Sequence, residues 1–248
     1  MSKSKRTHRA ALLWPTVMAA TTLLLLLGLG SWQLDRLQWK QGLLDRITER
    51  AHAPPVPFEQ VALPADRPAT DMEYLHVRLK GRFRHDLKRY AYATGKGDWG
   101  WNVITPMELS KGPPVLVNRG YVAQTSRDPA SRRSGQPEGV VEINGLLRLT
   151  PPGKPWYIPN SEPSKLNWYW LEIAEIGRSA YPGGPAPRMD VYVDADATGA
   201  GMLPLGGATN LNLPNRHLEY TITWFALAAT LCVIYGLFVF RRLKAGRG

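Results

Sequence analysis

Two uncharged runs near opposite ends of the chain constrain its fold more than any other feature. The first extends from Ala10 to Leu34 and includes the leucines Leu23 to Leu27; the second extends from Tyr220 to Phe240. A hydrocarbon core about 30 Å thick is crossed by roughly 20 helical residues rising about 1.5 Å each, so both runs are long enough to span it. Peptide groups find no water inside a bilayer, so each run must satisfy its own hydrogen bonds as a helix. A cleaved signal peptide has an apolar core of about 7–15 residues followed by an A-x-A site. The first run is longer than that and continues as Gly28-Leu29-Gly30-Ser31-Trp32-Gln33.

The flanks set the expected orientation. Lys3, Lys5, Arg6 and Arg9 precede the first run, and Arg241, Arg242, Lys244 and Arg247 follow the second, with no acid in either tail. Short basic flanks stay cytoplasmic, whereas a long loop crosses largely regardless of charge. Both termini are expected in the cytoplasm, with residues 35–219 outside. Nine residues before the first run are short for an organellar transit peptide, so the expected membrane is a bacterial inner membrane.

The net charge of +11 suggests a polyanion until it is apportioned. Eight of the 31 Lys and Arg stand in the two tails, leaving 23 against 20 acids between them. A nucleic-acid-binding protein concentrates its charge on the folded domain, so nucleic acid is excluded as a partner and the lipid bilayer retained. The single cysteine, Cys232, lies inside the second run. Intrachain disulfides, C-x-x-C redox pairs and covalent C-x-x-C-H haem attachment are excluded with it.

Between the runs the chain reads as a helix, then mostly strand. From Trp32 to Arg50 only Gly42 interrupts helix-compatible residues, and Trp32, Trp39, Leu43 and Ile47 recur on one stripe with Arg36 between the tryptophans. Ala53-Pro54-Pro55-Val56-Pro57 ends that helix. Leu75, Val77 and Leu79 alternate with His76, Arg78 and Lys80. Further short strand-like runs are Tyr90–Ala93, Trp101–Ile104, Val115–Val122, Val140–Leu149 and Met189–Val193, with one short helix at Leu171–Gly177 and a loop over 198–214. The expected fold class is an α+β membrane protein in which two transmembrane helices anchor a β-rich antiparallel extracytoplasmic domain. Its divisions are a cytoplasmic tail over 1–9, a span over 10–34, a juxtamembrane helix over 35–52 and the β-rich domain over 53–214. The second span with its outer mouth follows over 215–240, and a tail over 241–248.

The loop carries no G-x-S-x-G, H-E-x-x-H or phosphate-binding glycine loop, and its acids are scattered. No catalytic residue can be picked out, and the chain is read as a non-enzyme. His52, His76 and His85 lack metal-ligand spacing and are expected on the solvated surface. His217 differs by its position, three residues before the second run and so about 4.5 Å above it in a helix. An imidazole there can ligate a metal through a ring nitrogen. Trp224 is seven residues on, with Tyr220 and Thr221 between on nearly the same face. A flat cofactor with a ligatable iron would fit that stripe with His217 as axial ligand; an interfacial histidine hydrogen-bonded to the loop domain fits the same spacing. Arg36 and Lys40, one turn apart, either pair with carboxylates or anchor at the interface by snorkelling.

Three stretches resemble the surfeit locus protein 1 (Shy-type) family of cytochrome oxidase assembly proteins. Gly30-Ser31-Trp32-Gln33-Leu34-Asp35-Arg36-Leu37-Gln38-Trp39-Lys40 is similar to the family's G-x-W-Q-x-x-R-x-x-W-K. Val117-Asn118-Arg119-Gly120-Tyr121-Val122 is similar to its V-N-R-G-aromatic-V strand. Asn215-Arg216-His217-Leu218-Glu219-Tyr220-Thr221-Ile222-Thr223-Trp224 is similar to its N-N-H-aliphatic-x-Y-x-x-x-W start of the second span. Arg216 stands where the family usually has Asn, and Ala123 where Pro is common. The resemblance implies an assembly factor for haem–copper cytochrome c oxidase. It would bind haem a non-covalently and aid its delivery to the catalytic subunit, working with that subunit and other assembly factors. His217 is the implied iron ligand, with Trp224, Tyr220, Arg36 and Trp32 about the cofactor. The alternative is a haem-free membrane scaffold that stabilises oxidase intermediates.

Overall fold

The computed structural model describes residues 3–61, 70–94, 98–150, 153–184, 187–207, 209 and 214–245. The chain divides into two compact units, Met1–Arg46 with Asn212–Gly248, and Ile47–Leu211.

The first unit is built from two helices, each long and apolar enough to cross a bilayer. Helix α1 runs unbroken from Lys3 to His52 with Pro15 inside it, so the expected span and juxtamembrane helix are one continuous helix. Helix α3 runs from His217 to Ala245. Most of their large apolar side chains are exposed, among them Leu24, Leu25, Val233, Ile234 and Leu237. In water that surface would be a liability, whereas hydrocarbon solvates it.

The second unit is β-rich. Strands β1 (Val56–Pro57), β2 (His76–Phe83), β3 (Arg89–Thr94), β4 (Trp99–Leu109), β5 (Val115–Ala123), β6 (Val140–Leu149), β7 (Asn167–Trp168) and β8 (Val191–Ala195) form one sheet, with α2 (Ile173–Ala180) beside it. Its order is β1-β2-β6-β8-β5-β4-β3-β7, and β2 also pairs with β4. That last pairing closes β2, β6, β8, β5 and β4 into a five-stranded ring. The closing seam sets Gly81 opposite Leu109, Arg82 opposite Glu108 and Phe83 opposite Met107. Gly81 is required there, because a Cβ on it would stand 2.2 Å from the Glu108 carbonyl oxygen. Closure removes open strand edges, which otherwise invite pairing with other chains.

Alternation along the strands fills the ring. Val77, Leu79 and Phe83 of β2, Met107 of β4, Val115 and Val117 of β5, Leu147 of β6, and Val191 and Val193 of β8 form one buried cluster. Successive strand side chains point to opposite faces, so Leu116, Ile104 and Ala91 turn outward. They form a second cluster with Tyr192, Trp168 and Ile173 and Ile176 of α2.

The antiparallel pattern expected from short strands holds for most of the sheet, but β1–β2, β3–β7 and β5–β8 are parallel. Alternation has the same period in either direction, so sequence could not distinguish them. Strand β4 continues five residues past Ile104, β8 starts two residues later than expected, and α2 starts two residues and ends three residues downstream. Of the loop expected over 198–214, residues 208 and 210–213 lie outside the described residues.

Candidate functional site

In the helical unit, α3 begins at His217. The Asn215 side-chain oxygen accepts the His217 backbone N–H at 3.4 Å, and Glu219 sits in the first turn, where a carboxylate complements the positive helix end. The imidazole is half-buried, and its Nδ1 lies 2.7 Å from Oε1 of Gln33 on α1. An amide oxygen only accepts, so Nδ1 carries the proton and donates it, and the Nε2 lone pair is the one left for a ligand. A carbonyl-type acceptor on the far ring nitrogen is the arrangement that orients metal-binding histidines.

Gln33 belongs to a face of α1 made by Gly30, Gln33, Leu37 and Lys40, at spacings of three, four and three. Gly30 is buried against Phe225 of α3, whose ring carbons would lie 2.9 Å from a Cβ placed there. Leu37 is buried, and Lys40 Nζ donates to the Pro214 carbonyl at 2.7 Å. Toward the other end, the hydroxyls of Thr16 and Tyr235 hydrogen-bond to each other across the pair. A small residue for close approach and polar groups for interhelical bonds are what membrane helix pairs use.

Trp224, about two turns into α3, has its indole Nε1 buried with no acceptor among the described residues. Tyr220 is 52% exposed and Trp32 57% exposed. Arg36 is exposed as well, its guanidinium stacked 4.0 Å above the Trp39 ring. The structure thus joins His217 to α1 through Gln33 and turns the Trp224 N–H inward. Trp32, Arg36 and Trp39 occupy a face of α1 other than the one that meets α3. The aromatic stripe does not include Gln33; the Gly30–Gln33–Leu37–Lys40 spacing is the sequence signal that points to it.

The strand similar to V-N-R-G-aromatic-V is β5, and its polar residues build the barrel. Asn118 Nδ2 donates to Asp194 Oδ1 at 2.8 Å across the parallel β5–β8 pair, while its own Oδ1 accepts the Gly120 N–H at 3.1 Å. Asp194 also accepts from Arg148 and Thr209. Arg119 stacks 4.7 Å from the Phe83 ring centre and donates to the Gly135 carbonyl. Burial, with Arg132 nearby, pushes its pKa down to about 10. Gly120 has φ +115° and lies against the Leu205 carbonyl, a position no side chain can take.

The loop histidines also find partners. His76, expected on the solvated surface, is largely buried and bridges the Ala53 carbonyl at 2.8 Å and Asp196 Oδ2 at 2.9 Å. His85 is held to the Pro137 carbonyl at 2.9 Å, and burial lowers its pKa. Among the described residues, no three His, Cys, Asp or Glu side chains converge as a metal site.

The SURF1 family model matches residues 20–229. Surfeit locus protein 1 of Takifugu rubripes is 34% identical over 238 residues, covering 88% of this chain and 93% of its own. The protein of that name from Mus musculus is 33% identical over 84% of this chain and 70% of its own, and that from Homo sapiens 31% over 84% and 72%. With the match running from the first apolar helix into the second, through the β-rich domain between them, this chain belongs to the SURF1 family.

Proposed function

We propose that this membrane protein assembles a haem–copper cytochrome c oxidase by holding haem a at His217 and presenting it to the catalytic subunit. The family is one of cytochrome oxidase assembly factors, and the haem step is the finer reading. The observation that carries it is the His217 Nδ1–Gln33 Oε1 hydrogen bond, which leaves Nε2 as the available ligand. The donor set fits haem on a second count, because the buried Trp224 N–H has no acceptor among the described residues. An orphaned buried donor costs about 1–3 kcal/mol, which a ligand carrying an acceptor would recover.

In this reading a bound haem would supply an iron able to take one imidazole. His217 would hold it through Nε2, with Gln33 keeping the Nδ1 proton in place and the ring oriented. Trp224 supplies an apolar face and its N–H. Arg36, Tyr220 and Trp32 stand at the outer end of the helices, where a guanidinium can meet a propionate and aromatic rings suit the membrane interface. The contacts that hold His217 are non-covalent, which suits a cofactor that must leave again. The basic tails favour termini in the cytoplasm of a bacterial cell and a periplasmic β-rich domain.

The test is an absorption spectrum of detergent-purified protein from cells that make haem a, for the wild type and His217→Ala. A Soret band and haem a signature present in the wild type and lost in the variant are expected. Equal haem in both moves the ligand elsewhere. A folded but colourless wild type leaves the haem-free scaffold as the function.

A further inference from the structure

Positive side chains gather without a counter-ion at the end of the barrel where β2 finishes. Arg119 follows Val115 and Val117 on the inward face of β5 and stacks on Phe83, the last residue of β2. Arg132, in the segment Pro129–Gly135, is 3% exposed. Its Nη2 donates to the Tyr90 hydroxyl at 3.3 Å and its Nε to the Ser126 carbonyl at 3.2 Å. Lys88 Nζ donates to the His85 carbonyl at 2.8 Å, and the His85 ring stands 5.7 Å from that of Phe83. His85 Nε2 is held by the Pro137 carbonyl, two residues past the Gly135 carbonyl that Arg119 meets. Burial lowers the pKa values of Arg119, Lys88 and His85, and the charge on Arg132 lowers all three further.

Elsewhere the same domain neutralises its arginines. Arg84 reaches Asp86 and Glu108, Arg148 reaches Asp194 and Glu73, and Arg188 reaches Asp190, at 2.6–3.4 Å. Arg119 and Arg132 are more deeply buried than any of these, yet among the described residues no carboxylate pairs with them or with Lys88. Asp86 and Asp128 stand near Lys88, but Arg84 holds Asp86, and Asp128 Oδ1 accepts the Ala130 N–H at 2.9 Å. Withdrawing charge from water without an opposite charge is costly. Donors also remain unused. Arg119 Nε and Nη1 and Arg132 Nη1 meet no acceptor among the described residues, and none of the three is sealed from solvent. Half-exposed Lys88 has two further N–H groups beyond the one given to His85.

We propose that this end of the barrel binds a phosphate group, held by Arg119, Arg132 and Lys88. A phosphate group carries about −1.5 to −2 charges at pH 7 and presents three strong acceptor oxygens. It therefore balances three cations better than the single charge of a carboxylate. A guanidinium fork meets such an oxyanion through two parallel N–H bonds, and a lysine meets it as a point charge. Free phosphate and a phosphate monoester offer the same chemistry. The site is built within the barrel domain alone and is independent of whether haem binds at His217.

The test titrates the detergent-solubilised full chain with inorganic phosphate in a calorimeter, with chloride holding the ionic strength constant. Saturable, stoichiometric binding is expected, lost in Arg132→Gln and weakened about tenfold or more in Lys88→Gln. Arg132 is buried, so its variant can fail to fold; Lys88 bonds only a backbone carbonyl, and its variant should keep the wild-type melting temperature. Arg133→Gln removes an exposed charge next to the site and should leave binding unchanged. A second readout is the His85 ring, followed by NMR in histidine-labelled protein. A bound anion offsets the surrounding cations, so phosphate should raise the His85 titration midpoint and matched chloride should not. Glycerol 3-phosphate separates the sources: tighter binding than phosphate assigns a monoester, weaker binding the free ion. Absence of saturation would overturn the proposal, as would acetate binding equal to phosphate, or equal binding by wild type and Lys88→Gln.

Discussion

The barrel and the helical pair solve opposite packing problems. In the barrel, Val77, Leu79, Val115, Val117, Leu147 and Val193 are withdrawn completely from solvent, and burying each such side chain contributes about 1.5–3 kcal/mol. In the helical pair, the side chains of that chemical type remain on the outside. Contact between α1 and α3 is made by Gly30 on Phe225, and by hydrogen bonds from His217, Lys40 and Thr16. Water drives apolar groups together, whereas lipid tails are as apolar as leucine and supply no such force. The difference teaches where function can reside: a helical pair held by a few polar contacts can give one up to a ligand, and a closed apolar core cannot.

Several substitutions would break or sharpen that contrast. The largest effects belong to the barrel. Leu147→Ala should destabilise it by about 2–5 kcal/mol, measured as a lowered midpoint in denaturant. Gly81→Ala should lose a comparable amount, because the new Cβ meets the backbone carbonyl of Glu108 and the β2–β4 seam must part. An unchanged midpoint for Gly81→Ala would show that the ring is not closed there.

Next in size is Gln33→Leu, which removes the acceptor from His217. Loss of such an outer hydrogen bond costs about 10–100-fold in metal affinity. Haem titration should register that weakening with the melting temperature of the barrel unchanged, and Gln33→Glu should restore binding with an altered reduction potential. Equal affinity across the three would remove Gln33 from the site.

Gly30→Ala sharpens the comparison most directly. Its new Cβ would crowd the Phe225 ring, a side chain that can turn, rather than backbone. It should therefore cost clearly less than Gly81→Ala, and Phe225→Ala should relieve it in thermal unfolding of the detergent-solubilised protein.

The smallest effect is electrostatic. The Arg84 guanidinium holds the Asp86 carboxyl below its usual range, and Arg188 does the same for Asp190. A carboxyl with a lowered folded pKa stabilises the fold above its unfolded value, near 3.8 here, and that stability is lost as pH falls through the lowered one. These exposed pairs should each contribute well under about 1 kcal/mol. Arg84→Gln and Arg188→Gln should each slightly flatten the acid limb of the barrel's stability curve.

Strand positions were legible where period-two alternation was strong, as in Leu75-His76-Val77-Arg78-Leu79-Lys80. The two-residue strands β1 and β7 were not, because two residues carry no period. In the site, His217 and Trp224 stood out by their distance from an apolar run. Gln33 did not, since one amide among interfacial residues has no distinguishing chemistry until its neighbour is known. Alternation assigns His76 to the polar face of β2, but it cannot tell that Asp196, 120 residues later, covers that face.

The sequence by itself determined that the chain carries two runs long and apolar enough to cross a membrane, where most of the strands lie, and which family it resembles. The first two follow from run length, charge and local periodicity and the third from three motifs, each written in neighbouring residues. Only the tertiary structure decided that the sheet closes on itself, that three of its pairings are parallel and that His217 meets Gln33. Each of those joins residues far apart in the chain, and such contacts depend on loop paths and exact registers that local chemistry does not encode.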